Sequence, residues 1–130
     1  MKAGAAQRDI TLDVGMTITH PERVSVGVHD PMWVRVLVLD DEVSSSLAIV
    51  CFDLISANYD VCDELRQVIE REFGIGHAVI NFSHSHATAF LEPPSGNGDA
   101  VDLWTRNVHV SLRGALKEAK EGLQPVALRA

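Results

Sequence analysis

Met32-Trp33-Val34-Arg35-Val36-Leu37-Val38-Leu39 and, after a short polar interval, Leu47-Ala48-Ile49-Val50-Cys51-Phe52 decide the fold. Both runs are rich in β-branched and aromatic residues, the types that suit a pleated, packed surface. Between them Asp40-Asp41-Glu42 and Ser44-Ser45-Ser46 form a polar turn, so the two strands pair as an antiparallel hairpin. Neither run alternates cleanly between apolar and polar. Such nearly continuous apolar strands belong in the middle of a sheet under helical cover.

Working outward, Ala6 to Thr11 reads as a short opening strand closed by the turn Asp13-Val14-Gly15, and Thr19 to Val28 as a loop around His20-Pro21-Glu22-Arg23. Beyond the hairpin, Asn58 is an N-cap candidate with Asp60 in the first turn. Val61, Leu65, Val68, Ile69 and Phe73 then form an apolar stripe, and Gly74 stands at the C′ position. His77 to Phe82 is a further strand, and Glu92 to Gly98 a loop rich in breakers. Asp99 caps a second helix with a core face of Trp104, Val108, Leu112, Ala115, Ala119 and Leu123, ended by Gly122 and Pro125. Pro125 to Arg129 begins one more strand, and the chain stops at Ala130 with nothing to close it. The expectation is an α/β fold: one domain over residues 1–130, a mixed sheet covered by helices, apparently truncated at the carboxyl end. Trp33 and Trp104 both fall inside apolar patterns and are expected to be buried.

The 130 residues are 46% hydrophobic and 22% charged, ordinary for a globular domain. A net charge of −7 with no basic cluster argues against nucleic acid and anionic membranes as partners. Arg113, Lys117 and Lys120 fit the end of a helix, where cations complement the dipole and solvate the surface. No apolar run approaches the roughly 18 residues of a membrane span. The opening Met1 to Asp9 has no signal-peptide core, which points to the cytoplasm. Cys51 and Cys62 read as reduced, buried side chains.

The chemistry concentrates in Gly27-Val28-His29-Asp30-Pro31 and Ser83-His84-Ser85-His86. Side chains two apart on an extended backbone share a face, so His84 and His86 are expected in one cavity with Ser85 opposite. Their place after an apolar strand suits a site at a carboxyl end. Imidazole is a good zinc ligand, and His29 with one or both of these residues gives two or three donors. The alternative is that both are polar residues closing a strand onto loop backbone. Asp53, at the end of its strand, either orients an imidazole or bonds the loop. His20, His77 and His109 carry no role. No G-x-S-x-G elbow or phosphate loop is present.

Three blocks, in this order, resemble the amino-terminal part of the neutral/alkaline non-lysosomal ceramidase family. They are Ala3 to Thr11 with Val14-Gly15-Met16, Gly27 to Arg35, and Val79 to His86. The resemblance implies a zinc-dependent amidohydrolase of sphingolipid metabolism that cleaves the N-acyl bond of ceramide-like lipids. It implies His29 and His86 as zinc ligands and His84 as the neighbouring catalytic residue; Asp53 joins them as a catalytic candidate only by its place at the strand's end. In the family's mechanism the ion polarises the amide carbonyl and a positioned side chain protonates the leaving amine. The chain departs from the family at Ala87-Thr88-Ala89, where the family has Ser-Gly-Pro, and at Thr11-Leu12-Asp13. The family's other ligands, a glutamate and a tyrosine, correspond to positions beyond Ala130. Family ceramidases are often secreted, unlike the cytoplasmic reading above.

The expected partner is therefore a small-molecule or lipid-like amide. Two other readings stand beside it. One is a non-catalytic α/β domain with an incomplete metal site, acting as a binding module. The other is a homo-oligomer assembled through the open strand at Pro125 to Ala130.

Overall fold

The apolar hairpin forms the centre of a five-stranded sheet with the order β4-β3-β2-β1-β5 in a computed structural model of the chain. The structure describes residues 1–18, 23–93, 96 and 99–127. Three expectations touch residues outside that set: the loop from Thr19 to Glu22 with His20, Pro94, Ser95, Asn97 and Gly98 of the second loop, and Leu128 to Ala130 of the last strand. The elements run β1 (Lys2–Asp9), β2 (Trp33–Asp40), β3 (Ser46–Phe52), α1 (Tyr59–Phe73), β4 (His77–Phe82), α2 (Ala100–Glu121) and β5 (Gln124–Pro125). β2 pairs antiparallel with both β1 and β3, β3 pairs parallel with β4, and β5 pairs antiparallel with β1. This is the mixed α/β sheet that the sequence implies.

The opening strand starts earlier than expected. Lys2 to Ala5 have weak β preference, yet they pair with Leu37 to Asp40 because the hairpin offers an apolar edge. At the far end the pairing of Gln124–Pro125 with Lys2 and Ala3 is followed by a bond from Val126 N–H to the Met1 carbonyl, 3.1 Å.

Both helices cover the same face of the sheet. Val34, Val36 and Val38 of β2 and Ala48, Val50 and Phe52 of β3 are buried there against Val61, Leu65 and Ile69 of α1 and Trp104, Val108, Leu112 and Ala115 of α2. The helix ends behave as their sequences dictate, with one exception. Gly74 closes α1 at φ 64°, donating to the Glu70 carbonyl, and Asp99 Oδ1 accepts the Asp102 N–H at 2.9 Å. Asn58 makes no side-chain cap bond. Arg113 is also not merely a solvated charge. It reaches across from α2 and clamps Glu72 of α1 with both sides of its guanidinium, at 2.8 and 2.9 Å. Lys120 Nζ donates to the Phe73 carbonyl, satisfying a backbone acceptor at the end of α1.

Trp104 is buried and donates its indole N–H to the Ile10 carbonyl at 2.9 Å. Trp33 is only partly buried, contrary to expectation, because odd-numbered β2 residues point to the sheet face that carries no helix. Cys51 and Cys62 are free thiols, both partly exposed.

β1 can lie under α2 only because position 4 is glycine. A Cβ at Gly4 would sit 1.9 Å from the Ala119 carbonyl oxygen, a backbone atom that cannot swing away. We therefore expect Gly4→Ala to cost about 1–3 kcal/mol of unfolding free energy in urea titration, the usual range for overpacking. Gly27→Ala, which meets nothing within 4 Å, should stay within about 0.5 kcal/mol of the parent.

Candidate functional site

Four chain segments converge where β3 and β4 end, β1 runs out and β2 begins. Backbone bonds stitch them together: Ile10 N–H to the Met32 carbonyl at 2.8 Å, Asp53 N–H to Trp33 at 2.9 Å, Ser83 N–H to Phe52 at 2.9 Å and His84 N–H to Leu54 at 3.0 Å. Thr11 Oγ1 adds a side-chain acceptor for Met32 N–H at 2.9 Å. This rim outside the carboxyl ends of parallel strands is the usual ligand position in open α/β sheets. A cavity of ≈ 420 Å³ opens there, with His29, Asp30, Asp53, Ser83, Ser85 and Thr88 in its wall.

Asp53 is committed to the scaffold. Its Oδ2 accepts the Trp33 N–H at 3.0 Å and pairs with Arg35 Nη1 at 2.8 Å, so the carboxylate ties β3's end to β2's start at the cavity wall. His29 is almost entirely exposed on its loop, with Nδ1 2.7 Å from Asp30 Oδ2. That hydrogen bond, reinforced by the carboxylate charge, raises the imidazole pKa above its ordinary value. Turning Nδ1 to Asp30 leaves Nε2 as the nitrogen directed elsewhere.

The Ser83-His84-Ser85-His86 run is irregular loop, because β4 ends at Phe82. His84 takes a left-handed backbone at φ 59°, unusual for a non-glycine residue. Its side chain lies 2.9 Å from the Ile55 carbonyl through Nδ1. A carbonyl only accepts, so Nδ1 carries the proton and Nε2 of the neutral ring keeps the lone pair. The His84 and His86 rings meet edge to face at 5.1 Å. The two imidazoles are neighbours, but the strand alternation expected to turn both into one cavity with Ser85 opposite ends at Phe82. Ser83 and Ser85, rather than His84 and His86, contribute to the cavity wall that holds His29 and Asp53.

The donors have suitable chemistry for zinc but fall short in number. Among the described residues no three His, Cys, Asp or Glu side chains lie together so as to hold a metal ion, whereas a catalytic zinc usually takes three protein ligands.

Sequence reasoning missed Ser83, Ser85 and Thr88 as wall residues and Arg35 as the partner of Asp53. Arg35 had a legible signal: it is the one charge inside an otherwise apolar strand. Thr88 did not, since its burial and its bond to the Ser85 carbonyl at 2.7 Å depend on the loop's path.

The chain's fold is that of a segment of neutral ceramidase. The structure matches neutral ceramidase from Pseudomonas aeruginosa with a TM-score of 0.75 at 17% identity, covering 95% of this chain. A ceramidase complexed with C2 matches with a TM-score of 0.73 at 19% identity, again over 95% of this chain. The chain spans 22% of the length of each of those proteins. No protein-family model matches the sequence, and no curated protein matches it.

Two outcomes test the site's local chemistry. In an NMR titration His29 should hold its proton to higher pH than a free imidazole, and Asp30→Asn should bring it back down. Asp53→Ala, which strands the Trp33 N–H and the Arg35 charge at a partly exposed position, should lower stability by about 1–2 kcal/mol in chemical denaturation.

Proposed function

We propose that this chain forms part of a zinc-dependent amidohydrolase of the neutral-ceramidase type, acting on an N-acyl amide of a lipid-like substrate. The observation that carries the reading is the likeness of fold over 95% of the chain to two ceramidases, with the histidine-bearing loops at the carboxyl rim. His29 and His86 are the imidazoles given to the metal, completed by donors from outside the described residues. His84, oriented by the Ile55 carbonyl, is the proton-handling neighbour. Asp53 serves by position: it holds the start of β2 and the Arg35 guanidinium against the cavity wall. Ser83, Ser85 and Thr88 provide hydroxyls beside the place where an amide would lie.

A second reading rests on the short donor set. In it the chain is a non-catalytic α/β module that binds a ligand at the same rim without turning it over.

Zinc affinity, measured by competition with a chromophoric chelator, separates them. Under the first reading His29→Ala and His86→Ala each weaken binding by about 10-fold or more, and His84→Ala does so less. Equal losses at all three positions would remove the distinction between ligand and neighbour. Binding unchanged by His29→Ala and His86→Ala together would favour the module.

A further inference from the structure

Strand direction brings the His29 loop to the rim, and two side chains decide how the loop leaves it. The β1–β2 register carries on from Asp9 and Trp33 to Ile10 and Met32, where the Ile10 N–H reaches the Met32 carbonyl at 2.8 Å. In a hydrogen-bonded antiparallel pair the return bond runs from the Met32 N–H to the Ile10 carbonyl. Here that carbonyl takes the Trp104 indole N–H at 2.9 Å, and the Met32 N–H goes to Thr11 Oγ1, also at 2.9 Å. The other edge of β2 repeats the exchange. The Asp53 N–H donates to the Trp33 carbonyl at 2.9 Å, but the return bond from the Trp33 N–H ends on Asp53 Oδ2 at 3.0 Å. The first two N–H groups of the chain entering β2 are thus held by side chains, one following each flanking strand.

Thr11 is itself held. Its N–H donates to Asp9 Oδ1 at 2.7 Å, and Ser111 Oγ of α2 donates to the Asp9 carbonyl at 3.3 Å. Upstream of Met32 the chain is stiff: Pro31 has a fixed φ, and the residue before it, Asp30, is confined to extended backbone. A direction set at Met32 is therefore carried back to Asp30, and the 2.7 Å contact of Asp30 Oδ2 with Nδ1 carries it to the His29 ring. Val26 to Pro31 lie outside any helix or strand and are exposed, so packing within the chain does little to place them. Thr11, His29, Asp30, Met32 and Asp53 all line the same cavity.

We propose that Thr11 is a positioning residue for the rim: its hydroxyl, paired with the Asp53 carboxylate across the start of β2, sets the direction from which His29 and Asp30 enter the cavity wall. The chemical consequence rests on the function proposed above: with His29 given to a metal, Thr11 aims that imidazole without touching it. Serine at this position keeps the acceptor, and valine keeps the shape without the oxygen.

Nitrogen-15 relaxation of the whole 130-residue chain, free of metal, tests this. In the parent, the His29 and Asp30 amides should be nearly as ordered as β2, with order parameters of ~0.85. Thr11→Val should lower both toward ~0.6 or below and speed hydrogen exchange at the Met32 amide, and Thr11→Ser should restore the parent values. Ser46→Ala, which removes a side-chain acceptor for the Gly76 N–H at the opposite end of the sheet, should change neither. If the valine chain does not fold, Pro31→Ala takes its place: it should loosen His29 and Asp30 while the Met32 amide stays protected. Loop amides already mobile in the parent, unmoved in the folded variant, or as loose in Thr11→Ser as in Thr11→Val would overturn the proposal. Zinc affinity separates this role from the function proposed above. Thr11→Val should weaken it by about three- to tenfold, below the roughly 10- to 100-fold of a metal ligand's own hydrogen-bond partner. Binding that depends on His29 yet is unchanged by Thr11→Val would overturn the aiming of His29. Binding indifferent to His29→Ala would remove the metal reading, and the relaxation results would still decide the role of Thr11.

Discussion

The parallel pairing of β3 with β4, from Leu47 against His77 to Phe52 against Phe82, is the constraint on which the rest depends. Parallel neighbours need a crossover, and α1 supplies it over the covered face of the sheet. Both strands consequently run out at the same rim, where the Phe52 and Phe82 rings stack with centroids 5.4 Å apart. The antiparallel β2 begins there, so its leading loop, with His29 and Asp30, arrives beside Asp53 and Ser83. Residues distant in sequence are assembled by strand direction alone.

The covered face is held more by fit than by charge. β1 lies close beneath α2 at Gly4, Trp104 reaches back to the Ile10 carbonyl, and Arg113 locks α2 to α1 through Glu72. Because Ile10 continues β1 into the rim, the indole bond couples the core under α2 to one wall of the cavity. Asp53 does the same from the other side by joining β3 to β2. The strand ends fix one side of the site, and loop geometry sets the histidines together with Ser83, Ser85 and Thr88.

The fold was legible because the decisive runs obey period and breaker rules: the hairpin, Gly74 after α1 and Asp99 before α2 stand where the sequence places them. The start of β1 was not, since Lys2 to Ala5 become a strand only by pairing with β2. The sheet face without helices was hidden as well, because a two-sided apolar strand looks the same whichever of its faces the helices of the chain cover. At the site, His29 and the His84–His86 neighbourhood could be located from sequence, but the wall facing His29 could not. It depends on the left-handed turn at His84, and no periodicity encodes a single φ of 59°.

The most direct test is the nitrogen-15 spectrum of the histidine side chains during a zinc titration. The account predicts that His29 Nε2 and a ring nitrogen of His86 move together as zinc is added, while His84 Nδ1 keeps the signature of its bond to the Ile55 carbonyl. Zinc-induced shifts at His77 or His109, with His29 and His86 unmoved, would contradict the assignment of the rim as the metal-binding part of the chain.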